Sequence, residues 1–443
     1  MCTAVEAPAG RSLTVLPLIA ATYFIVAGGP FGLEDIVAKA GYLGAIVILL
    51  ITPAIWAFPT TLMVSELSSA LPEDGGYYIW VTRGLGRFWG FQEVWLSLVG
   101  SIFDMAIYPA LFLAYLGHFA PSLTAGGRGF AIGVGLIAVA ALWNIAGTRA
   151  VGGSSVVMGA LLLAPFLALT LYAGAHPGPA IGHAVPLRNV DILGGILVAM
   201  WNYMGWDNTS TVAGEVDRPQ RTYPLAMAGA LALITLSYVL PIGAVALTGL
   251  DANRWSTGGW AEVARAAMGP GAAAGLAALA ISLGGMIAPF GTLNAITLTL
   301  SRLPVALAQD GYLPKVLTRR HSRTGAPWVA ILFLAVTWAL ALQLGFAKLV
   351  LLDVLLTGLS IMLEFAALVG LRLREPHLSR PFRVPGGLAG AVAVGVPPAI
   401  LLILTMVRNQ AEPIGPINAL ELGMILIALG VATYFVRISI RKS

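Results

Sequence analysis

Apolar residues in this chain neither alternate nor form one amphipathic stripe. They come in long runs separated by short polar connections. A run of about 20 apolar residues matches a helix that crosses a bilayer core. Inside lipid, only helices and closed barrels satisfy every backbone group. Twelve runs are placed as spans: 13–39, 42–69, 87–117, 129–148, 152–174, 189–215, 223–250, 271–300, 327–345, 349–371, 387–407 and 416–436. The pattern predicts an all-α polytopic membrane protein, and the connections are too short to hold a soluble domain.

Two of the runs are interrupted. The sixth carries Trp201-Asn202-Tyr203-Met204-Gly205-Trp206-Asp207-Asn208 at its middle. Gly205 loosens the backbone, two amides add polarity, and Asp207 is a carboxylate at a depth where a charge costs about 3 kcal/mol. The first run carries GGPFGLED, Gly28 to Asp35. Its glycines free the backbone, and Pro30 has no N–H. A polar spot at a helix–helix contact would be the simpler reading of Asp207. Two breaks, one starting each set of five spans, favour the other reading: two inverted halves whose broken helices line a substrate cavity. The chain then divides into a tail (1–12), a first repeat (13–174), a second repeat (189–371), an added helix pair (387–436) and a tail (437–443).

Composition supports this class. The chain has 443 residues, of which 58% are hydrophobic and 10% charged; a soluble domain carries about 25% charged residues. With the N-terminus inside, 18 of the 25 Lys and Arg residues fall on inner connections and 7 on outer ones. That asymmetry predicts both termini in the cytoplasm of a cell-membrane protein. The net charge of +5 is scattered over short loops, so no nucleic acid is expected as a partner. The single cysteine, Cys2, the five histidines outside the spans and the lack of an H-E-x-x-H pair leave no metal site, and no cofactor is expected. The first apolar run holds a break and lacks a convincing cleavage site, so it reads as a retained span. Segment 75–86 reads as an interfacial helix beside Arg83. The basic segment 301–324 reads as a surface-lying helix, and Trp255 and Trp260 as members of a headgroup belt.

Polar residues inside the spans fall on helical faces. Span three holds Glu93, Ser97, Ser101, Asp104 and Tyr108, three or four residues apart. Span ten holds Asp353, Thr357, Ser360 and Glu364 in the same rhythm. Serine and threonine seams commonly bond helices together, but deep carboxylates are less natural there. Glu93 and Asp353 read as nearer the span ends, facing water; Asp104 and Glu364 read as deep. With Glu34 and Asp207, four acids lie on spans one, three, six and ten, and no Lys or Arg sits mid-span to pair with them. An unpaired buried carboxylate must be neutralised by a proton or a bound cation. Trp201 and Trp206 flank Asp207, and an indole face suits an ammonium or guanidinium. Asp207 and Glu364 are the candidates for carrying a coupling proton.

These residues carry a resemblance. Residues 301–331 (SRLPVALAQDGYLPKVLTRRHSRTGAPWVAI) and 380–387 (RPFRVPGG) resemble loops of the amino acid–polyamine–organocation transporter superfamily. GGPFGLED (28–35), LPEDGGYYIWV (71–81), FWGFQEVW (88–95), WNYMGWDNTSTVAGEV (201–216) and MLEFAALVGLR (362–372) are similar to its plant-type polyamine uptake and L-type amino acid transporter branch. The resemblance implies a LeuT-like five-plus-five inverted repeat with two helices added. It also implies proton-coupled uptake or exchange of small cationic metabolites, polyamines such as putrescine and spermidine or amino acids. Carried over by motif, Gly28, Gly29 and Phe31 would line the first break. Asp207 falls where related exchangers place an acid implicated in pH dependence, and Trp201 where they have a ligand-covering Trp. Met286, in LGGM, replaces a second Trp, which departs from that gating arrangement. Pro30 also departs: amino acid carriers present backbone N–H groups to a carboxylate at this break.

The full candidate site is Gly28, Gly29, Phe31, Glu34, Asp104, Tyr108, Trp201, Gly205, Trp206, Asp207, Met286 and Glu364. A non-transporting sensor of the same fold would be expected to carry a soluble regulatory domain. A membrane enzyme or an ATP-driven pump would need a nucleophile–base set or a phosphate loop, and the sequence shows neither.

Overall fold

Nearly every described residue is helical, as a bilayer requires of a chain without a closed barrel. The computed structural model describes residues 14–72, 76–146, 155–178, 190–210 and 216–442. The N-terminal tail and residues 211–215 of the expected sixth span lie outside them.

Helix α1 (Val15–Val26) stops where Tyr23 O receives the N–H groups of both Ala27 and Gly28. Gly28 and Gly29 then take φ values of 61° and 115°, which a side chain would resist. The chain re-enters helix at α2 (Glu34–Thr52), kinks at Gly41, and runs through a wider π-type turn, Pro53–Ala57, into α3 (Phe58–Ala70). α4 (Gly76–Leu85), α5 (Arg87–Phe119), the short α6 (Pro121–Thr124), α7 (Gly127–Ala146) and α8 (Ser155–Ala175) follow. The second break repeats the first: α9 (Ile192–Asn202) ends, Gly205 takes φ 93°, and a single 3-10 turn begins at Asp207. Beyond it come α10 (Pro219–Leu247), α11 (Trp260–Met268), α12 (Ala272–Leu300) and α13 (Arg302–Gln309). α14 (Trp328–Ala341), α15 (Phe346–Arg374), α16 (Gly387–Asn409) and α17 (Ala419–Lys442) complete the chain. A small hairpin, β1 (Pro413–Ile414) and β2 (Ile417–Asn418), turns between the last two helices.

Eight of the described helical stretches are long and apolar enough to cross a membrane, and Val15–Val26, Leu161–Ala175 and Trp328–Leu344 are shorter apolar helices. α1 and α9 are short because a break ends the hydrogen-bond ladder of each.

α5 and α15 are the most enclosed long helices and pack along each other. α16 and α17 show their apolar side chains outward, Ile403 at 58% and Val436 at 57% exposure, as lipid-facing surfaces do. α4 crosses α15 at near backbone contact: a Cβ on Gly370 would lie 2.5 Å from Gly84 O. Consequently α4 is not a headgroup anchor. Tyr77, Trp80 and Val81 are buried, and only Arg83 reaches out, to Glu375 at 2.6 Å.

One other expectation is corrected. Trp255 and Trp260 do not lie in a headgroup belt but are 3% and 0% exposed. Their indole N–H groups donate to Tyr42 Oη at 2.9 Å and Pro30 O at 2.7 Å. A buried base also exists. α15 runs past the expected end of span ten, and Arg372 is enclosed against Glu66 of α3.

Candidate functional site

The two breaks face one cavity of about 100 Å³. Gly28 and Phe31 line it from the first break, Trp201, Gly205 and Asp207 from the second, and Asp104 and Tyr108 from α5. The structure thus brings together seven of the twelve sequence-derived candidates. It adds Asp353 and Thr357 of α15, Asn202 of α9 and Tyr77 of α4.

The acids are held differently. Asp104 Oδ1 accepts the Trp201 indole N–H at 3.3 Å, and its Oδ2 accepts the Tyr108 hydroxyl at 3.5 Å. Trp201 is fixed edge-on against Phe346, with ring centres 5.6 Å apart. Asp353 Oδ1 accepts the Thr357 hydroxyl at 2.7 Å. Asp207 is 7% exposed, and its Oδ1 has no hydrogen-bond partner. No Lys, Arg or His lines the cavity among the described residues. Three carboxyl groups and five aromatic rings, with no base among the described residues, make a lining suited to a cation.

Behind this wall lies a second pair of acids. Glu93 is fully buried and accepts hydrogen bonds from Ser360 and, at 3.4 Å, Ser97. Glu364 is fully buried with neither oxygen partnered. The expectation that Glu93 and Asp353 face water near span ends is therefore corrected: exposures are 0% and 3%.

Five candidates stand outside the cavity lining. Gly29 leaves room for the Phe31 ring, which a Cβ would meet at 2.8 Å. Glu34 belongs to a closure formed with the 251–268 segment. Tyr115 donates its hydroxyl to Glu34, Gly258 N–H donates at 3.2 Å, and the Thr257 hydroxyl donates to neighbouring Asp35 at 2.6 Å. The Phe31 ring packs edge-on against Tyr115, joining this closure to the cavity wall. Trp206 is fully buried and bonds Tyr203 O at 2.8 Å. Met286 packs against the core, and Glu364 lies behind the wall. The α15 stripe was the available signal for Asp353, but drawing span ten from residue 349 placed it too near an end; α15 begins at Phe346. Tyr77 gave no signal beyond an aromatic pair after glycines.

The profile of the amino acid permease family matches residues 18–432. The chain belongs to this family. The permease is 36% identical over 422 residues to a protein named polyamine transporter PUT1 of Oryza sativa subsp. japonica, covering 94% of this chain and 78% of that one. It is 34% identical to polyamine transporter RMV1 of Arabidopsis thaliana, over 94% of the permease and 84% of that protein. A serine/threonine exchanger, SteT of Bacillus subtilis (strain 168), is 29% identical over 73% of the permease and 74% of its own length.

Proposed function

We propose that this permease carries linear polyamines, such as putrescine or spermidine, across the cell membrane by proton-coupled symport or exchange. The observation that carries the reading is the charge inventory of the cavity. Asp104 and Asp353 come from α5 and α15, Asp207 comes from the second break, and no base lies among them. A ligand with ammonium groups separated by methylenes would place one on the open Oδ1 of Asp207 and another on Asp104 with Asp353. Its chain would rest on Phe31 and the Trp201 ring. The two plant relatives named as polyamine transporters support the same substrate class.

The amino acid alternative is supported by the amino acid permease family itself and by the bacterial serine/threonine exchanger. A zwitterion needs donors for its carboxylate, and Pro30 has removed one from the first break. The matching breaks after Val26 and Asn202 support two inverted halves of five crossings with two helices added, and the charge asymmetry of the connections supports both termini inside. Asp207 and Glu364 are the residues proposed to take the coupling proton. The test is uptake of labelled spermidine into proteoliposomes with an imposed pH gradient, with and without a proton ionophore. Ionophore-sensitive accumulation is expected. Binding without accumulation would instead mean a sensor.

A further inference from the structure

A second cavity, of about 810 Å³, lies away from the ligand site, where the ends of α7, α12 and α13 meet the approach to α14. Its chemistry is the reverse of the first. Arg302 and Arg320 line it with Asn144, Asn294, Gln309 and Thr299, and no acid lines it among the described residues. We propose that it binds the phosphate-bearing headgroup of an anionic phospholipid.

The walls are built in advance. Asn144 Nδ2 donates to Asn294 O at 3.0 Å and to its Oδ1 at 2.9 Å, tying α7 to α12. The Thr324 hydroxyl donates to Ile145 O at 2.7 Å and fixes the approach to α14. Arg302 makes no hydrogen bond or ion pair with any described residue. Arg320 uses one guanidinium nitrogen, Nη1 to Gly325 O at 3.2 Å. Asp310, which follows Gln309, engages Tyr78 of α4. Two guanidinium groups with amide and hydroxyl neighbours suit a phosphate, which guanidinium recognises in a bidentate way.

The flanks argue for a lipid over a free anion. Trp143, beside Asn144, is 50% exposed, and Leu142 is 63% exposed. On α14, Leu332, Phe333 and Val336 also face outward. An indole beside a cationic pocket, bordered by exposed apolar helix faces, is the setting in which a headgroup docks and its acyl chains lie alongside. The site also touches transport. Asn294 and Thr299 of α12 face this cavity, while Thr292, Ile296 and Leu300 of the same helix line the acidic one. Occupancy at one would bear on the helix that shapes the other.

The test is the thermal unfolding midpoint of the full chain in detergent, titrated with phosphatidylglycerol, with phosphatidylcholine or with inorganic phosphate. A saturable rise with phosphatidylglycerol alone is expected. The double variant Arg302→Gln/Arg320→Gln should raise the half-saturating lipid concentration by about tenfold or more, two charges having been lost. Arg319→Gln/Arg323→Gln, which removes equal charge outside the cavity lining, should leave it unchanged. Equal weakening by both double variants would assign the effect to diffuse surface charge and overturn the site. A matching rise with inorganic phosphate would overturn the lipid. Native mass spectrometry of the unaltered protein gives a readout independent of the variants: a retained anionic phospholipid is expected, and none retained would contradict the proposal.

Discussion

Arg372 of α15 and Glu66 of α3 form a two-point ion pair inside the protein. Nε lies 3.0 Å from Oε1 and Nη2 2.5 Å from Oε2, with the side chains 3% and 1% exposed. Val384 N–H also donates to Glu66 at 2.7 Å, and Val384 O accepts from Arg372 at 2.9 Å, so the pair clasps the segment after α15 to two helices. Arg380 Nε also lies 3.4 Å from Glu66 Oε1, so removing Arg372 leaves the buried carboxylate a single, longer guanidinium contact, at a cost of up to about 3–5 kcal/mol. Arg372→Met should therefore lower the thermal midpoint strongly in detergent. The double variant Glu66→Leu/Arg372→Met should recover part of the loss. Additive losses would mean that the two groups do not act as a pair.

The Glu34 closure leads to a conformational prediction. Tyr115→Phe removes the donor to Glu34 and leaves Gly258 N–H and the Thr257–Asp35 bond to hold the segment. A lost buried hydrogen bond is worth about 0.5–1.5 kcal/mol, so opening should become about two- to tenfold more frequent. In a Cys2→Ser background, Ala261→Cys, at a buried position of the same segment, should react with an aqueous thiol reagent faster by about that factor when Tyr115→Phe is added. An unchanged rate would show that this bond does not hold the closure.

Coupling is tested at two buried acids that keep open oxygens. Glu364 has no donor to either oxygen, and Asp207 has none to Oδ1. A buried carboxyl in that state calls for a proton or a bound cation. Replacing the coupling acid by its amide, Asp207→Asn or Glu364→Gln, should abolish accumulation driven by a pH gradient while sparing some counterflow. If both variants still concentrate substrate, the proton is carried elsewhere.

Topology follows from the charge asymmetry of the connections. Reporter fusions at Arg128 and Arg254 should read outside, and fusions at Arg221 and Lys315 inside. A series displaced by one span through the first half would separate the two breaks and remove the inverted-repeat reading.

The two breaks were legible because glycine and proline act on the local backbone, and the structure places them at Gly28–Gly29 and Gly205. The stripe on α5 was legible because helical periodicity is local too. What escaped the sequence is tertiary. Glu66 and Arg372 are 306 residues apart, and no pattern around either announces the other. Glu34 sits three residues from Phe31, yet it bonds Tyr115 and Gly258 and leaves the cavity wall to Phe31. Trp255 and Trp260 have the amphipathic character of a membrane belt, but their indole donors are taken by Tyr42 and Pro30.

In the proposed binding mode Asp104 and Asp353 receive one ammonium of the ligand while Asp207 receives another. Truncating one partner of a buried charge pair costs about 2–5 kcal/mol, a loss of about 30-fold or more at 1.4 kcal/mol per decade. The direct measurement is competition by putrescine, spermidine, a monoamine, arginine and leucine against labelled spermidine in proteoliposomes, for the unaltered protein and Asp104→Asn. The account predicts that the polyamines compete best, and that Asp104→Asn weakens them by about 30-fold or more while changing a monoamine little. If leucine competes best and Asp104→Asn leaves its affinity unchanged, the cavity is that of an amino acid carrier and the account is contradicted.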